Sequence, residues 1–291
     1  MTTIAVIGTG NMGAPMAINL ARAGHRVQAF DIVTEKMQPL TADGIIATAS
    51  HREALTDAEM VLTMLPSGIE VKDVYFNQVI PWAPEHCLLI DSSTIDLEDA
   101  RAVHRKTAQA GFNMIDAPVS GGTAGATAGK LTFMIGGDSA TIESARPALE
   151  AMAGRIIHCG KAGMGQAAKM CNNMMLGIQM ASVVEGFHLA NKIGLADEKL
   201  YEVASNSSAN CFSLTAFCPV PGIVDVSPSN NQYQPGFSTD LMLKDMALAL
   251  NAAECNALDL DLAPVAAELY KSFSEAGNGR LDFSAIYKML E

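Results

Sequence analysis

The sequence predicts an α/β domain built on a doubly wound parallel sheet, followed by an all-α domain joined to it by one long helix. Three observations carry that prediction. Short apolar runs alternate with helical patterns over about the first 160 residues, as crossover helices between parallel strands require. A glycine-rich turn follows the first apolar run. After Gly160 the chain turns to helical patterning rich in Met and Ala.

The elements follow in order. Strands are expected at residues 4–7, 26–30, 60–64, 87–91, 112–116, 131–135 and 155–158, with helical patterns such as 13–22 and 98–110 between them. Residues 163–194 read as one helix, apolar on nearly every face, which predicts that protein surrounds it. Residues 195–291 read as helical apart from a Pro/Asn/Ser loop near 219–236. The expected division is therefore 1–162 for the sheet domain and 163–291 for a helical domain of substrate binding and assembly.

Composition narrows the class. With 49% hydrophobic and 17% charged residues the chain can bury a core. A net charge of −12 argues against nucleic acid and anionic membrane as partners. An anionic substrate must then be held by local positive groups. The most apolar stretch, 164–193, is interrupted by Lys169, Asn172, Asn173, Glu185 and His188, so no membrane span is expected. Six scattered cysteines without a C-x-x-C pair predict reduced, mostly buried thiols and no metal. A strand-like run directly after Met1 leaves no room for a presequence, and a cytoplasmic location is expected.

Gly8-Thr9-Gly10-Asn11-Met12-Gly13 is a G-x-G-x-x-G between a strand and a helix, with Asp31 at the end of the next strand. In that context it predicts a Rossmann-type dinucleotide site. Gly8 permits the turn, Gly10 lets backbone approach a pyrophosphate, and Gly13 lets helix and strand pack closely. Asp31 can accept both adenosine ribose hydroxyls and repels a 2′-phosphate. The residues after it, Ile32, Val33 and Thr34, supply no Arg, so NAD is preferred over NADP. The loops Met64-Leu65-Pro66 and Asp91-Ser92-Ser93-Thr94 also follow strands and should line the cofactor groove, with Thr94 on the nicotinamide side.

Three segments carry further chemistry. Ser120-Gly121-Gly122 can turn a hydroxyl and successive N–H groups toward an anion, and reads equally as a glycine-rich connection. Gly163-Met164-Gly165-Gln166 leads into Lys169, Asn172 and Asn173. Lys169 and Asn173 are four apart and share a helix face, where a lysine among apolar residues is costly unless used. Lys244-Asp245 sits on a later helix and reads equally as a solvated ion pair.

Taken together, GTGNMGAPMAINLARAGH, DAPVSGGTAGATAG, GMGQAAKMCNN and KDMALAL resemble, in order and spacing, the β-hydroxyacid dehydrogenase family over residues 3–288. CPVPGIVDVSPSNNQYQPGF and LDFSAIYKML resemble the branch acting on 3-hydroxyisobutyrate. The resemblance implies Lys169 as the catalytic lysine and Ser120, Gly121 and Gly122 as the substrate-carboxylate segment. It implies Asn173, Phe237 and Asp245 at the substrate end, and Leu65, Pro66, Thr94 and Lys244 as cofactor contacts. It also implies a homodimer or homotetramer, with (S)-3-hydroxyisobutyrate oxidised by NAD to methylmalonate semialdehyde in valine degradation.

In that reaction Lys169 takes the hydroxyl proton as hydride leaves for nicotinamide. A lysine begins near a pKa of about 10.4, so an alkaline optimum for oxidation is expected. Other readings stay open at this point. One is reduction of tartronate semialdehyde, succinic semialdehyde or glyoxylate; another is a non-catalytic NAD-binding redox sensor. A reductase of imines is disfavoured by the lysine. A 6-phosphogluconate dehydrogenase is disfavoured by chain length and the absence of an Arg cluster.

Overall fold

The structure, a computed structural model, describes residues 1–289 and divides into two compact units, Met1–Lys169 and Met170–Glu291. The last two residues of the expected helical region, and the end of LDFSAIYKML, lie outside the described residues.

Unit one holds nine strands: β1 (Thr3–Ile7), β2 (Arg26–Phe30), β3 (Ile46–Ala47), β4 (Met60–Thr63), β5 (Leu88–Asp91), β6 (Asn113–Asp116), β7 (Val119–Ser120), β8 (Leu131–Gly136) and β9 (Ala153–Gly160). Its helices are α1 (Gly13–Arg22), α2 (His51–Ala54), α3 (Gly68–Val74), α4 (Ile80–Trp82), α5 (Leu97–Gln109), α6 (Gly122–Thr127) and α7 (Ser139–Glu150). The strand order is β3-β2-β1-β4-β5-β6-β8-β7, with β9 on β8. Successive residues of β1 show the double winding. Ile4 and Val6 enter one apolar cluster, Ala5 and Ile7 the other, so both faces are covered, as in parallel sheets generally. Helix α1 buries Gly13, Met16, Ala17 and Leu20, a helical stripe that lays it on the first cluster.

The far edge departs from the parallel expectation. β8 runs antiparallel to β6 and β7, through Asp116↔Gly136 and Val119↔Phe133. The cause is local. The chain continues from β6 through Pro118, whose carbonyl accepts from Met134 N, into β7, and returns as one long hairpin. The intervening residues hold only the short α6, too little for a parallel crossover. The sequence also left β3 and β7 unread, because two-residue strands carry no alternation.

A single helix, α8 (Met164–Ile193), begins in unit one and continues into unit two. Unit two adds α9 (Asp197–Ser205), α10 (Phe212–Thr215), α11 (Thr239–Cys255) and α12 (Leu262–Phe273). Its core gathers Met180, Val184 and Phe187 of α8 with Met242, Met246, Tyr270 and Phe283. Gly177 is where the helices meet: a Cβ there would stand 2.8 Å from Met246 Sδ, and Tyr270 Oη donates to the Gly177 carbonyl at 3.1 Å. The expectation that α8 is surrounded does not hold within one chain, because Met175, Leu189 and Ile193 are exposed.

The expected loop is ordered by its own polar groups. Tyr233 Oη donates to the Pro219 carbonyl at 2.6 Å, and Ser227 and Ser229 both donate to the Cys218 carbonyl. Among the described residues no helix is long and apolar enough to cross a membrane, and no acidic, His or Cys cluster suits a metal ion. The cysteines correct the reading that most are buried: Cys87 and Cys218 are buried, but Cys171 and Cys255 are exposed. Burial pushes the Cys87 thiol up to about 12 and the Cys218 thiol up to about 11, so neither is a nucleophile.

Candidate functional site

The order of β2, β1 and β4 places the sheet's reversal between β1 and β4. Ligands of open α/β sheets sit outside the carboxyl ends of strands at such a reversal. The loops that close it here are the glycine turn and Met64-Leu65-Pro66, and they touch. Gly8 has φ +93°, and a Cβ on it would lie 2.3 Å from the Met64 carbonyl oxygen. A Cβ on Gly13 would lie 1.9 Å from the Gly8 oxygen. Internal packing therefore explains both glycines. It does not explain Gly10, where a Cβ would meet no protein atom within 4 Å.

Helix α1 starts at Met12 without a side-chain cap, whereas Ser67, Asp96, Asp138 and Ser238 cap α3, α5, α7 and α11. Its first N–H groups thus have no side-chain acceptor, which suits a phosphate. An open approach at Gly10 and an uncapped helix fit a dinucleotide.

Asp31 directly follows β2 beside that turn and is buried. One carboxylate oxygen accepts from Thr9 N at 2.8 Å, the other from Val33 N at 2.9 Å. These bonds fix the carboxylate while Asn11 and Met12 carry the chain into α1.

The loops after β4 and β5 are tied together. Leu65 N donates to Ser93 Oγ at 2.9 Å, and Ser93 Oγ donates to Asp91 Oδ1 at 2.6 Å. Thr63 Oγ1 also donates to Asp91 Oδ1, at 2.8 Å, and meets Tyr75 Oη at 3.0 Å. Burial pushes the Asp91 carboxyl above the usual carboxylate range. The bonds from Ser93 and Thr63 oppose that rise, and Asp116 adds to it. Burial likewise pushes the Tyr75 phenol well up.

The start of α8 is held by another strand end. Asp116, the last residue of β6, accepts from Gly163 N at 2.7 Å and Gln166 N at 3.0 Å, and so caps the helix from a distance. His104 Nε2 lies 2.9 Å from the same carboxylate. The fit is tight, for a Cβ on Gly165 would stand 2.4 Å from the Met134 carbonyl oxygen. Gln166 Nε2 donates to the Ser93 carbonyl at 2.7 Å, and Ile95 N donates to Gln166 Oε1 at 3.1 Å. One helical turn on, Lys169 is buried, at 7% exposure. Ser120 and Gly121 are tied to their own hairpin, through Ser120↔Thr132 and by Gly121 against Leu131; Gly121 and Gly122 both have positive φ.

In unit two, Asn173 is buried on α8 and donates Nδ2 to Asp245 Oδ2 on α11, while its Oδ1 accepts from Asn172 Nδ2 at 3.0 Å. Lys244 Nζ lies 3.4 Å from Asp245 Oδ1. Asp245, at 2% exposure, is thus no solvated ion pair. Phe237 precedes α11, and its N–H donates to Asp282 at 3.2 Å, as does Gly236 N–H at 3.1 Å.

Residues 3–160 match the family described as the NAD binding domain of 6-phosphogluconate dehydrogenase. Residues 163–290 match the NAD-binding domain of NADP-dependent 3-hydroxyisobutyrate dehydrogenase. A probable 3-hydroxyisobutyrate dehydrogenase of Mycobacterium tuberculosis is 48% identical, over 100% of this chain and 98% of that protein. The chain belongs to the 3-hydroxyisobutyrate dehydrogenase family.

Another relative is the NAD-dependent L-serine dehydrogenase of Pseudomonas aeruginosa, 39% identical over 100% of this chain and 98% of that one. The solved structure of Mycobacterium tuberculosis 3-hydroxyisobutyrate dehydrogenase with L-serine superposes with a TM-score of 0.95 at 47% identity, covering 100% and 99% of the two chains. Membership in the 3-hydroxyisobutyrate dehydrogenase family makes the chain an NAD-binding oxidoreductase. The sequence places Ser93 in a groove-lining loop and Gln166 in the motif before Lys169, but does not show the bonds that join them, nor Asp282 or the capping role of Asp116. The available signal was position: Asp91 and Asp116 each end a strand at the carboxyl edge of the sheet.

Proposed function

We propose that the protein oxidises a short 3-hydroxy acid, (S)-3-hydroxyisobutyrate, to its semialdehyde, as a step of valine degradation. One observation carries the reading: Lys169 is a buried lysine one turn beyond Gln166, whose amide is bonded to the loop containing Thr94. A lysine buried at this point of the helix is expensive as structure and apt as a proton carrier.

Bound NAD supplies the hydride acceptor. The glycine turn from Gly8 to Gly13 receives its pyrophosphate, Asp31 its adenosine ribose, and Leu65, Pro66, Thr94 and Lys244 its remaining parts. Asp31 selects NAD over NADP by charge. Ser120 and the N–H groups at Gly121 and Gly122 hold the substrate carboxylate; both glycines have positive φ, a backbone that can present successive N–H groups to an anion. Asn173 orients the substrate, with Phe237 and Asp245 lining its end. Lys169 Nζ accepts the hydroxyl proton and returns it in the reverse direction. Its amine also sits where an alkoxide develops, which stabilises that charge.

The exposed Met175, Leu189 and Ile193 on α8 support a homodimer or homotetramer. Six free, dispersed cysteines support a cytoplasmic enzyme. The experiment is a panel of short acids, namely 3-hydroxyisobutyrate, L-serine, glycerate and 4-hydroxybutyrate, assayed by formation of reduced nicotinamide at alkaline pH. Highest kcat/KM for (S)-3-hydroxyisobutyrate with NAD is expected. Preference for L-serine overturns the substrate assignment, and no turnover on any acid overturns the reading.

A further inference from the structure

Gln166 is 1% exposed and lies in the first turn of α8. Its carboxamide uses both ends on one loop, the oxygen accepting from Ile95 N and the nitrogen donating to the Ser93 carbonyl. The two peptide groups it holds flank Thr94. Ser93 is also bound from the other side, its hydroxyl accepting from Leu65 N and donating to Asp91. The loops after β4 and β5 and the first turn of α8 therefore form one hydrogen-bonded block, with Gln166 as the link to the helix. Lys169 lies three residues further on and nearly shares the Gln166 face. Because a helix is stiff over one turn, fixing Gln166 fixes where the Lys169 backbone stands. Removing the amide would leave a buried donor and a buried acceptor on the Thr94 loop without partners.

We infer that Gln166 is a positioning residue, which sets Lys169 in register with the Thr94 loop for proton exchange with the hydroxy acid. The inference rests on the dehydrogenase reading above. Two substitutions in the full chain separate this role from space filling. Gln166→Leu keeps similar volume and removes both bonds. Gln166→Glu keeps the shape, but only its protonated form can donate to the Ser93 carbonyl; ionised, it sets a charge against that oxygen.

For Gln166→Leu, kcat with 3-hydroxyisobutyrate should fall roughly 10- to 100-fold while the NAD dissociation constant stays within about threefold. The primary deuterium isotope effect on kcat should rise, and the Ile95 amide should lose hydrogen-exchange protection in the protein without ligand. For Gln166→Glu, turnover relative to wild type should recover as pH falls and decline as pH rises, a limb the wild-type profile lacks. The inference is overturned, with the dehydrogenase reading intact, if folded Gln166→Leu keeps wild-type kcat and isotope effect, or if Gln166→Glu tracks wild type at every pH. Unchanged Ile95 protection in Gln166→Leu overturns it too. A wild-type protein that reduces no NAD with any hydroxy acid overturns both readings together, which tells that failure apart.

Discussion

Asn173 gives its amide hydrogen to Asp245 across 2.5 Å, from one buried helix position to another. With its oxygen engaged by Asn172, the carboxamide cannot flip without breaking both contacts. On the proposed reading, Asp245 acts on substrate largely through Asn173. Asp245→Leu should lower kcat/KM for the hydroxy acid by about 10- to 100-fold, the scale of a charge-assisted hydrogen bond. Asp245→Asn should cost less, since an amide oxygen still accepts. In an Asn173→Ala background the further loss from Asp245→Leu should nearly vanish. Steady-state kinetics on the four proteins decides this, and losses that multiply would assign Asp245 an action of its own.

On the proposed mechanism, Lys169→Ala removes the proton carrier. Turnover should fall by about 10² to 10⁴, the usual range for general acid–base catalysis, while NAD affinity is kept. Oxidation should be fastest at alkaline pH in the wild type, and the alanine variant should lose that dependence. Binding measured by fluorescence beside turnover separates the two effects. A variant with wild-type turnover would remove Lys169 from the mechanism.

Two glycines of the turn, Gly8 and Gly10, should separate folding from binding. Gly8→Ala places a Cβ 2.3 Å from the Met64 carbonyl oxygen at φ +93°, so it should lower the melting temperature and abolish NAD binding. Gly10→Ala meets no protein atom within 4 Å. It should leave the melting temperature unchanged and still weaken NAD roughly tenfold or more by crowding the pyrophosphate. Calorimetry with NAD titration on both variants tests this, and full affinity in Gly10→Ala would move the phosphate site elsewhere.

Those glycines also mark how much of the molecule the sequence makes legible. The strand–turn–helix motif, Asp31 and the long helix are local patterns, and each lies where periodicity and turn chemistry put it. The antiparallel return at β8 was illegible because it depends on pairing across Pro118 rather than on any strand's own residues. Gln166, Asp116 and Asp282 were equally hidden. Each joins segments distant in sequence: Gln166 to Ser93 and Ile95, Asp116 to Gly163, Asp282 to Phe237. A single sequence carries no sign of such pairs.

On the proposed reading, Asp31 sets the cofactor by charge. Asp31→Asn keeps an acceptor for Thr9 N or Val33 N and removes the anion. A 2′-phosphate about 4 Å from a carboxylate is disfavoured by roughly 1–4 kcal/mol. The ratio of kcat/KM for NADP over NAD should therefore rise by about tenfold to several hundredfold in the variant. An unchanged ratio would take discrimination away from Asp31.

Asp91 gives a stability test with a definite sign. Its folded-state carboxyl titrates above the ordinary 3.8, chiefly through burial. The folded protein thus holds this proton more tightly than the unfolded chain. The associated stability is fully present below the unfolded value and is lost as pH rises through the raised folded value. Asp91→Asn cannot titrate, and its amide oxygen still accepts from Thr63 and Ser93. Its new amide hydrogens add a cost that does not vary with pH. The melting temperature of the variant minus that of wild type should consequently increase between about pH 4 and about pH 8. Calorimetric melts of both proteins across that window check it, and a difference that stays flat would mean Asp91 is ionised in the folded protein throughout.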